Sequence, residues 1–184
     1  MERAAVAGID YSLTSPAITV HDGDEWKFSN CKFYYLTSAK KSLNNEGRLN
    51  GTLYPNHVSD QDRYNNIATW SLHILQENKV RRVSLEGYSF GSVGRVFQIA
   101  ENTGYLKQKL WEEAIEFDVP PPTRIKKFAT GKGNASKEMM EEAFLEQTGY
   151  NIRSHMNQTE KQWNPSSDII DSYFMARYCF NYEN

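Results

Sequence analysis

Residues 4–10, AAVAGID, are a short run of small apolar residues that ends on a carboxylate. A brief apolar run that soon gives way to polar residues is typical of a buried β-strand. Residues 81–86, RRVSLE, end in the same way. Asp10 and Glu86 are therefore each predicted to lie where a strand ends, although either acid alone could be a turn residue or a solvated strand end.

The rest of the chain predicts an α/β fold. Residues 16–21 and 25–34 are rich in β-branched and aromatic residues, and Asp22-Gly23-Asp24 between them indicates a hairpin, so three antiparallel strands are expected at the start. Residues 35–61 predict a long surface excursion, and the prolines at 120–122 are expected to stop any helix. Further elements are predicted as helices over 62–79 and 93–117, a short strand at 117–119, a helix from a Ser136 cap to Gln147 before Gly149, and a last helix capped by Ser166 or Ser167.

Length and composition favour an ordinary globular protein. With 184 residues, 39% of them hydrophobic and 24% charged, the chain is expected to form a single domain over residues 1–184. No apolar run approaches the roughly 20 residues of a membrane helix, and the N-terminus turns polar too soon for a signal peptide. We therefore expect a cytoplasmic protein. Cys31 and Cys179 have no companions at metal spacing, so neither a zinc site nor a disulfide is expected.

Charge is segregated along the chain. The net charge of −2 argues mildly against a nucleic-acid partner. Residues 124–137, here called the basic segment, nevertheless contain no acid. Its basic residues are Arg124, Lys126, Lys127, Lys132 and Lys137. A DNA-binding face on this segment is compatible with the composition.

Asp168 and Asp171 are three positions apart, so on a helix they share one face. Their place in the first turn, where the helix dipole favours anions, also permits a plain capping role. That role suits Asp171 less well, because apolar Ile169, Ile170 and Tyr173 surround it.

Acids from three distant segments suit metal-dependent phosphate chemistry. Mg²⁺ prefers carboxylate oxygens, and two ions about 4 Å apart can activate the attacking water and stabilise the leaving oxygen. The glycines at 87, 91 and 94, and the Gly131-Lys132-Gly133 run, fit neither the Walker nor the dinucleotide pattern. A nucleotide-binding loop is therefore not expected.

Four stretches, in this order, resemble the RuvC family of Holliday-junction resolvases, and together they span nearly the whole chain. They are residues 8–12 (GIDYS), residues 83–86 (VSLE), residues 122–127 (PTRIKK) with 130–137 (TGKGNASK), and residues 168–173 (DIIDSY). The resemblance implies an RNase H-like fold, with a five-stranded mixed sheet flanked by helices. It also implies a homodimer that nicks four-way junctions with Mg²⁺ or Mn²⁺, two ions per site.

Residue roles follow from the same resemblance. Asp10, Glu86, Asp168 and Asp171 match the family's metal ligands. Lys126 and Lys137 resemble lysines that contact DNA near the scissile phosphate, and Lys137 is expected to steady that phosphate during catalysis. Arg124, Lys127 and Lys132 join the DNA-binding set through their charge and their proximity in sequence.

An aromatic residue just after the second acid is also typical of the family. Tyr88 and Phe90 are both available to stack on a base, although either could equally be a core residue. The 35–61 excursion and the negative net charge are unlike a typical cellular member, and the compactness and divergence of the chain resemble a bacteriophage version. Such a protein would act in the host cytoplasm on a broader set of branched DNA.

Three alternatives stay open on the sequence. A nuclease of the same fold could act on another nucleic acid, such as an RNA–DNA hybrid. A non-catalytic junction-binding protein would be expected to lack one of the acids, and none is missing. An actin-like or sugar-kinase fold would need glycine-rich phosphate loops that this sequence does not supply.

Overall fold

The computed structural model describes residues 4–87, 96–159 and 161–182. The strands are β1 (Ala5–Asp10), β2 (Ala17–His21), β3 (Cys31–Thr37), β4 (Leu49–Leu53), β5 (Val80–Leu85) and β6 (Glu116–Asp118). The helices are α1 (Asp60–Glu77), α2 (Val96–Glu112), α3 (Pro122–Thr130), α4 (Lys137–Thr148), α5 (Ile152–His155) and α6 (Ser166–Asn181). Within the described ranges, no helix is both long and apolar enough to cross a membrane.

The strands form one mixed sheet in the order β4-β3-β2-β1-β5-β6. β1 pairs antiparallel with β2, and β2 with β3, which confirms the three antiparallel strands expected at the start. β5 pairs parallel with β1 on the other side, and β6 continues parallel to β5. The carboxyl ends of β1 and β5 therefore meet at one edge of the sheet.

The sheet has six strands, so the expected number of five is wrong. The additional strand, β4, lies inside the 35–61 excursion and pairs in parallel with β3. Its sequence, LNGTL, has little β-propensity of its own, so the strand owes its conformation to pairing with β3. β2 and β3 form the expected hairpin, but its connection is longer than a tight turn at Asp22-Gly23-Asp24, since it runs over residues 22–30 and includes a 3₁₀ turn at Phe28–Asn30.

Helix starts differ from expectation at two places. Pro122 does not stop a helix but begins α3, since the first helical position needs no backbone N–H. The residue before α6 is Pro165, with no side-chain cap, so capping by Ser166 or Ser167 is wrong. The Ser136 cap of α4 is confirmed, because its hydroxyl accepts from the Met139 N–H at 3.4 Å.

Helices cover both faces of the sheet. Ile9 and Leu85 belong to a core cluster shared with α1 and α2, whereas the other core cluster joins α3, α4 and α6. Gly8 faces α6 so closely that a Cβ atom there would overlap the α6 backbone at Ser172 and Ala176. Glycine is thus required for α6 to lie directly on β1.

Candidate active site

Strand alternation directs two acids to the face covered by α6. Ile9 and Leu85 are register partners and both enter the α1/α2 core. The residues that follow them, Asp10 and Glu86, therefore project to the opposite face. The Glu86 N–H donates to the Ile9 carbonyl (3.1 Å between N and O), which keeps the two strand ends side by side.

The start of α6 supplies the other two acids. Close packing on Gly8 and a 2.7 Å hydrogen bond between the Thr19 and Ser172 hydroxyls fix the helix across β1 and β2. Asp168 and Asp171 lie in its first two turns, near the ends of β1 and β5. Asp10, Glu86, Asp168 and Asp171 are thereby brought together, and we call them the acidic cluster.

Burial and mutual repulsion keep protons on the acidic cluster. Asp10 is only 5% exposed and Asp168 only 7%. Burial, followed by the charges of Glu86, Asp168 and Asp171, raises the pKa of Asp10 well above its ordinary value. Burial also raises the pKa values of Asp168 and Asp171, each to about 7. The protonated Asp10 carboxyl donates its one hydrogen bond to Glu86.

The donor set suits a hard divalent cation, for which carboxylate oxygens are the preferred protein ligands. Asp168 Oδ2 is buried and has no hydrogen-bond partner, so one ligand oxygen is already unoccupied. Among the described residues, no three His, Cys, Asp or Glu side chains are already spaced as a metal-binding group. It is the ionised form of the acidic cluster that fits a cation, because the metal replaces the shared protons.

Two lysines lie within electrostatic reach of these acids. Burial raises the pKa of Glu86, and the Asp10 hydrogen bond and the charges of Lys126 and Lys137 oppose that rise. The same two lysines oppose the rise at Asp171. Lys137 also donates a long hydrogen bond of 3.5 Å to the Ser167 hydroxyl. The structure thus brings Lys126 and Lys137 to the acidic cluster.

The remaining predicted DNA contacts are placed differently. Lys127 and Lys132 are exposed on the basic segment. The Arg124 guanidinium donates to the Tyr178 hydroxyl at 3.4 Å. Tyr178 follows Asp171 by seven residues of α6, which is about 10 Å along the helix. Arg124 is exposed and stays a predicted DNA contact, bonded to this later part of α6. Tyr88 and Phe90 fall outside the described residues.

Three further polar residues at the site were not predicted. The Asn164 side-chain amide donates to Ser15 Oγ at 2.7 Å and to Asp168 Oδ1 at 3.3 Å. The Ser167 hydroxyl donates to Asn164 Oδ1 at 3.2 Å. In the sequence these residues have the appearance of ordinary turn residues, so no local signal distinguishes them.

Sequence comparison with known proteins gives no match. No protein-family model matches the chain, and no curated protein matches it. Solved structures do match.

Resolvases are among the matching structures. Thermus thermophilus RuvC in complex with a Holliday junction substrate superposes with a TM-score of 0.61 at 14% identity, covering 97% of this chain and 95% of that one. The yeast mitochondrial Holliday junction resolvase gives 0.59 at 12% identity, covering 95% of this chain and 77% of its own. The fowlpox virus resolvase in complex with Holliday junction DNA gives 0.52 at 14% identity, covering 96% and 97%.

These likenesses define the fold. The chain has an α/β, RNase H-like architecture, in the form found in RuvC and other Holliday junction resolvases. At such low identities they do not assign an activity. The activity has to be argued from the acidic cluster and the basic segment.

Proposed function

We propose that this protein is a metal-dependent endodeoxyribonuclease that nicks branched DNA, with the four-way junction as its main substrate. The observation that carries the proposal is the convergence of four acids at one sheet edge, with Lys126 and Lys137 beside them. Neighbouring structures in complex with Holliday junctions support the choice of substrate.

The acidic cluster would hold two Mg²⁺ or Mn²⁺ ions through Asp10, Glu86, Asp168 and Asp171. Bound ions supply an activated water and stabilise the leaving oxygen during phosphodiester hydrolysis. The protein's own part is to present ionised carboxylates at the end of a rigid sheet. Burial would strengthen the attraction between these carboxylates and a bound cation, because a low-dielectric environment strengthens each interaction between charges.

Lys137 would steady the scissile phosphate. It is the first residue of α4, its Nζ donates to Ser167, and its charge acts on Glu86, Asp168 and Asp171. A lysine so placed offsets the negative charge of a phosphate next to four acids. Lys126 would assist it from α3, while exposed Lys127 and Lys132 hold the DNA backbone further out.

A homodimer would place two such sites on one junction, and α2 offers a face for it. Phe97 and Trp111 are 84% and 76% exposed. Gly104 lies midway between them, seven residues from each, and a Cβ atom there would meet nothing within 4 Å. Since nothing in residues 4–87, 96–159 and 161–182 requires glycine at this place in the helix, the glycine suggests close approach by another backbone. Two antiparallel copies of α2 crossing at Gly104 would pack Phe97 of one protomer on Trp111 of its partner.

Sedimentation of a Trp111→Glu variant tests this interface. The wild-type chain is expected to sediment as a dimer and the variant as a monomer. A Val58→Glu control, at a residue 97% exposed on the 35–61 excursion, should remain dimeric. A wild-type monomer, or a dimeric Trp111→Glu variant, would contradict the α2 interface.

Cleavage of synthetic four-way junctions, flaps, forks and linear duplexes, with and without Mg²⁺, tests the proposed function. We expect Mg²⁺-dependent nicking of branched substrates and little cutting of linear duplex. An RNA–DNA hybrid belongs in the same panel, since preferential cutting of the hybrid would favour the alternative nuclease. Binding without cutting would favour a non-catalytic junction-binding protein.

We further propose a bacteriophage-type resolvase that acts in the host cytoplasm. The chain is compact and divergent, and its net charge of −2 and its excursion over residues 35–61 are unlike a typical cellular enzyme of the family. Cutting of forks in addition to four-way junctions in the panel would agree with the broad specificity expected of such an enzyme.

A further inference from the structure

A chain of hydrogen bonds runs alongside the acidic cluster and ends on Asp168. The Asn164 side-chain amide uses one N–H for Asp168 Oδ1 (3.3 Å) and donates to Ser15 Oγ at 2.7 Å. The Ser15 hydroxyl accepts this bond and so anchors the amide. Asp168 is thus held by Asn164, and Asn164 is held by Ser15.

The opposite side of Asn164 leads to a lysine. Asn164 Oδ1 accepts from the Ser167 hydroxyl at 3.2 Å, and Ser167 Oγ accepts from Lys137 Nζ at 3.5 Å. One amide therefore links the acid at the start of α6 with the lysine at the start of α4. Both amide donors and the amide oxygen are engaged, so the side chain has a defined orientation.

These contacts select between the two oxygens of Asp168. Oδ1 receives the Asn164 N–H, whereas Oδ2 is buried with no hydrogen-bond partner. A buried carboxylate oxygen without a donor is costly. A metal ion bound at Oδ2 would remove that cost.

We propose that Asn164, anchored by Ser15, is a positioning residue that orients Asp168 so that Oδ2 is presented for a divalent ion. The inference rests on the proposed metal-dependent function and adds a residue outside the four acids. Groups that fix a metal-binding carboxylate typically contribute about 10- to 100-fold to metal affinity or activity.

Asn164 can be tested without disturbing the core. The residue is exposed, so Asn164→Ala opens no buried cavity, and in EDTA the melting temperature should stay within about 2 °C of wild type. The affinity of the full Asn164→Ala chain for Mn²⁺, measured by calorimetry without DNA, should be about 10- to 100-fold weaker than that of wild type. If Asn164 had a purely structural role, its loss would lower the melting temperature together with the Mn²⁺ affinity.

Asn78→Ala is the matched control. Asn78 is also a hydrogen-bonded asparagine, since its amide donates to the Ile74 carbonyl at 2.8 Å and accepts from the Tyr34 hydroxyl at 3.2 Å. It ends α1 rather than contacting the acidic cluster. We expect Asn78→Ala to bind Mn²⁺ as tightly as wild type.

A double-variant cycle tests the link between Ser15 and Asn164. Ser15→Ala should also weaken Mn²⁺ binding, and combining it with Asn164→Ala should cost less than the product of the two single effects, because both act through one chain of hydrogen bonds. If the double variant weakens Mn²⁺ binding by the full product of the two single effects, Ser15 and Asn164 act independently and the link between them is wrong. Equal Mn²⁺ affinity of wild type and Asn164→Ala would overturn the inference alone, whereas no Mn²⁺ binding by wild type would overturn the proposed function with it.

Discussion

The acidic cluster and the basic segment are built in opposite ways. The acids come from β1, β5 and α6, and they meet only because the sheet and α6 are packed together. The basic residues are neighbours in sequence, mostly exposed, on α3, the following turn and the start of α4. Chemistry that needs a rigid buried geometry is thus assembled from distant parts, whereas phosphate attraction needs only a local run of charge. Changes in the two regions should have different consequences.

The largest expected effect is the loss of cleavage on changing an acid. Asp10→Asn and Asp171→Asn should each lower the cleavage rate by at least about 1000-fold, since each removes a carboxylate ligand from the ions that drive hydrolysis. DNA affinity should remain within a few-fold of wild type. Rates on a labelled junction and a gel-shift titration measure the two quantities.

Asp118→Asn is a suitable control for these variants. Asp118 ends β6, at the same sheet edge, and it is not a member of the acidic cluster. Cleavage should survive this change. Wild-type rates in Asp10→Asn would show that the cluster is not the catalytic site.

A smaller effect, of a different kind, is expected in the basic segment. Lys127→Ala and Lys132→Ala should each weaken DNA binding and reduce the slope of log affinity against log salt by about one, because one fewer phosphate is neutralised. Cleavage at saturating protein should be nearly unchanged, because the acids are intact.

Arg81→Ala provides the charge-matched control. Arg81 is exposed near the start of β5, at the sheet edge opposite Glu86, so its loss should leave the salt slope unchanged. Equal slopes for wild type, Lys127→Ala and Lys132→Ala would remove the basic segment from the DNA interface.

The buried acids also predict a pH dependence that the exposed lysines cannot produce. The pKa values of Asp168 and Asp171 are about 7 in the folded protein and lower when unfolded. Between about pH 4 and 7 the folded state therefore binds more protons, so the stability of the metal-free protein should fall as pH rises through that range. Thermal melting in EDTA measures this. In Asp171→Asn the fall should be shallower, and an equal fall would contradict these pKa values.

The smallest effect is expected at Arg124. Its guanidinium bonds to Tyr178, about 10 Å along α6 from Asp171. Arg124→Ala should change cleavage less than twofold and lower stability only slightly, measured by urea unfolding. A loss of cleavage as large as that expected for Asp10→Asn would contradict this prediction.

The sequence predicts the four acids better than it predicts the residues that hold them in position. Asp10 and Glu86 end apolar runs whose alternation is a local property, so their positions at strand ends follow from the chain alone. Asn164 and Ser15 are 149 positions apart, and their contact exists only after α6 has docked. β4 escapes prediction for a similar reason, since its pairing with β3 outweighs its weak propensity. Pro122 is ambiguous in the sequence because a proline that ends one element can also begin the next.

The most direct test of the metal site is a crystal of the full chain soaked in Mn²⁺, with anomalous diffraction recorded at the manganese edge. We expect anomalous peaks between the carboxylates of Asp10, Glu86, Asp168 and Asp171, with Asp168 binding through Oδ2 and Oδ1 still bonded to Asn164. Peaks elsewhere on the chain, with the acidic cluster empty and still hydrogen-bonded to itself, would contradict this expectation.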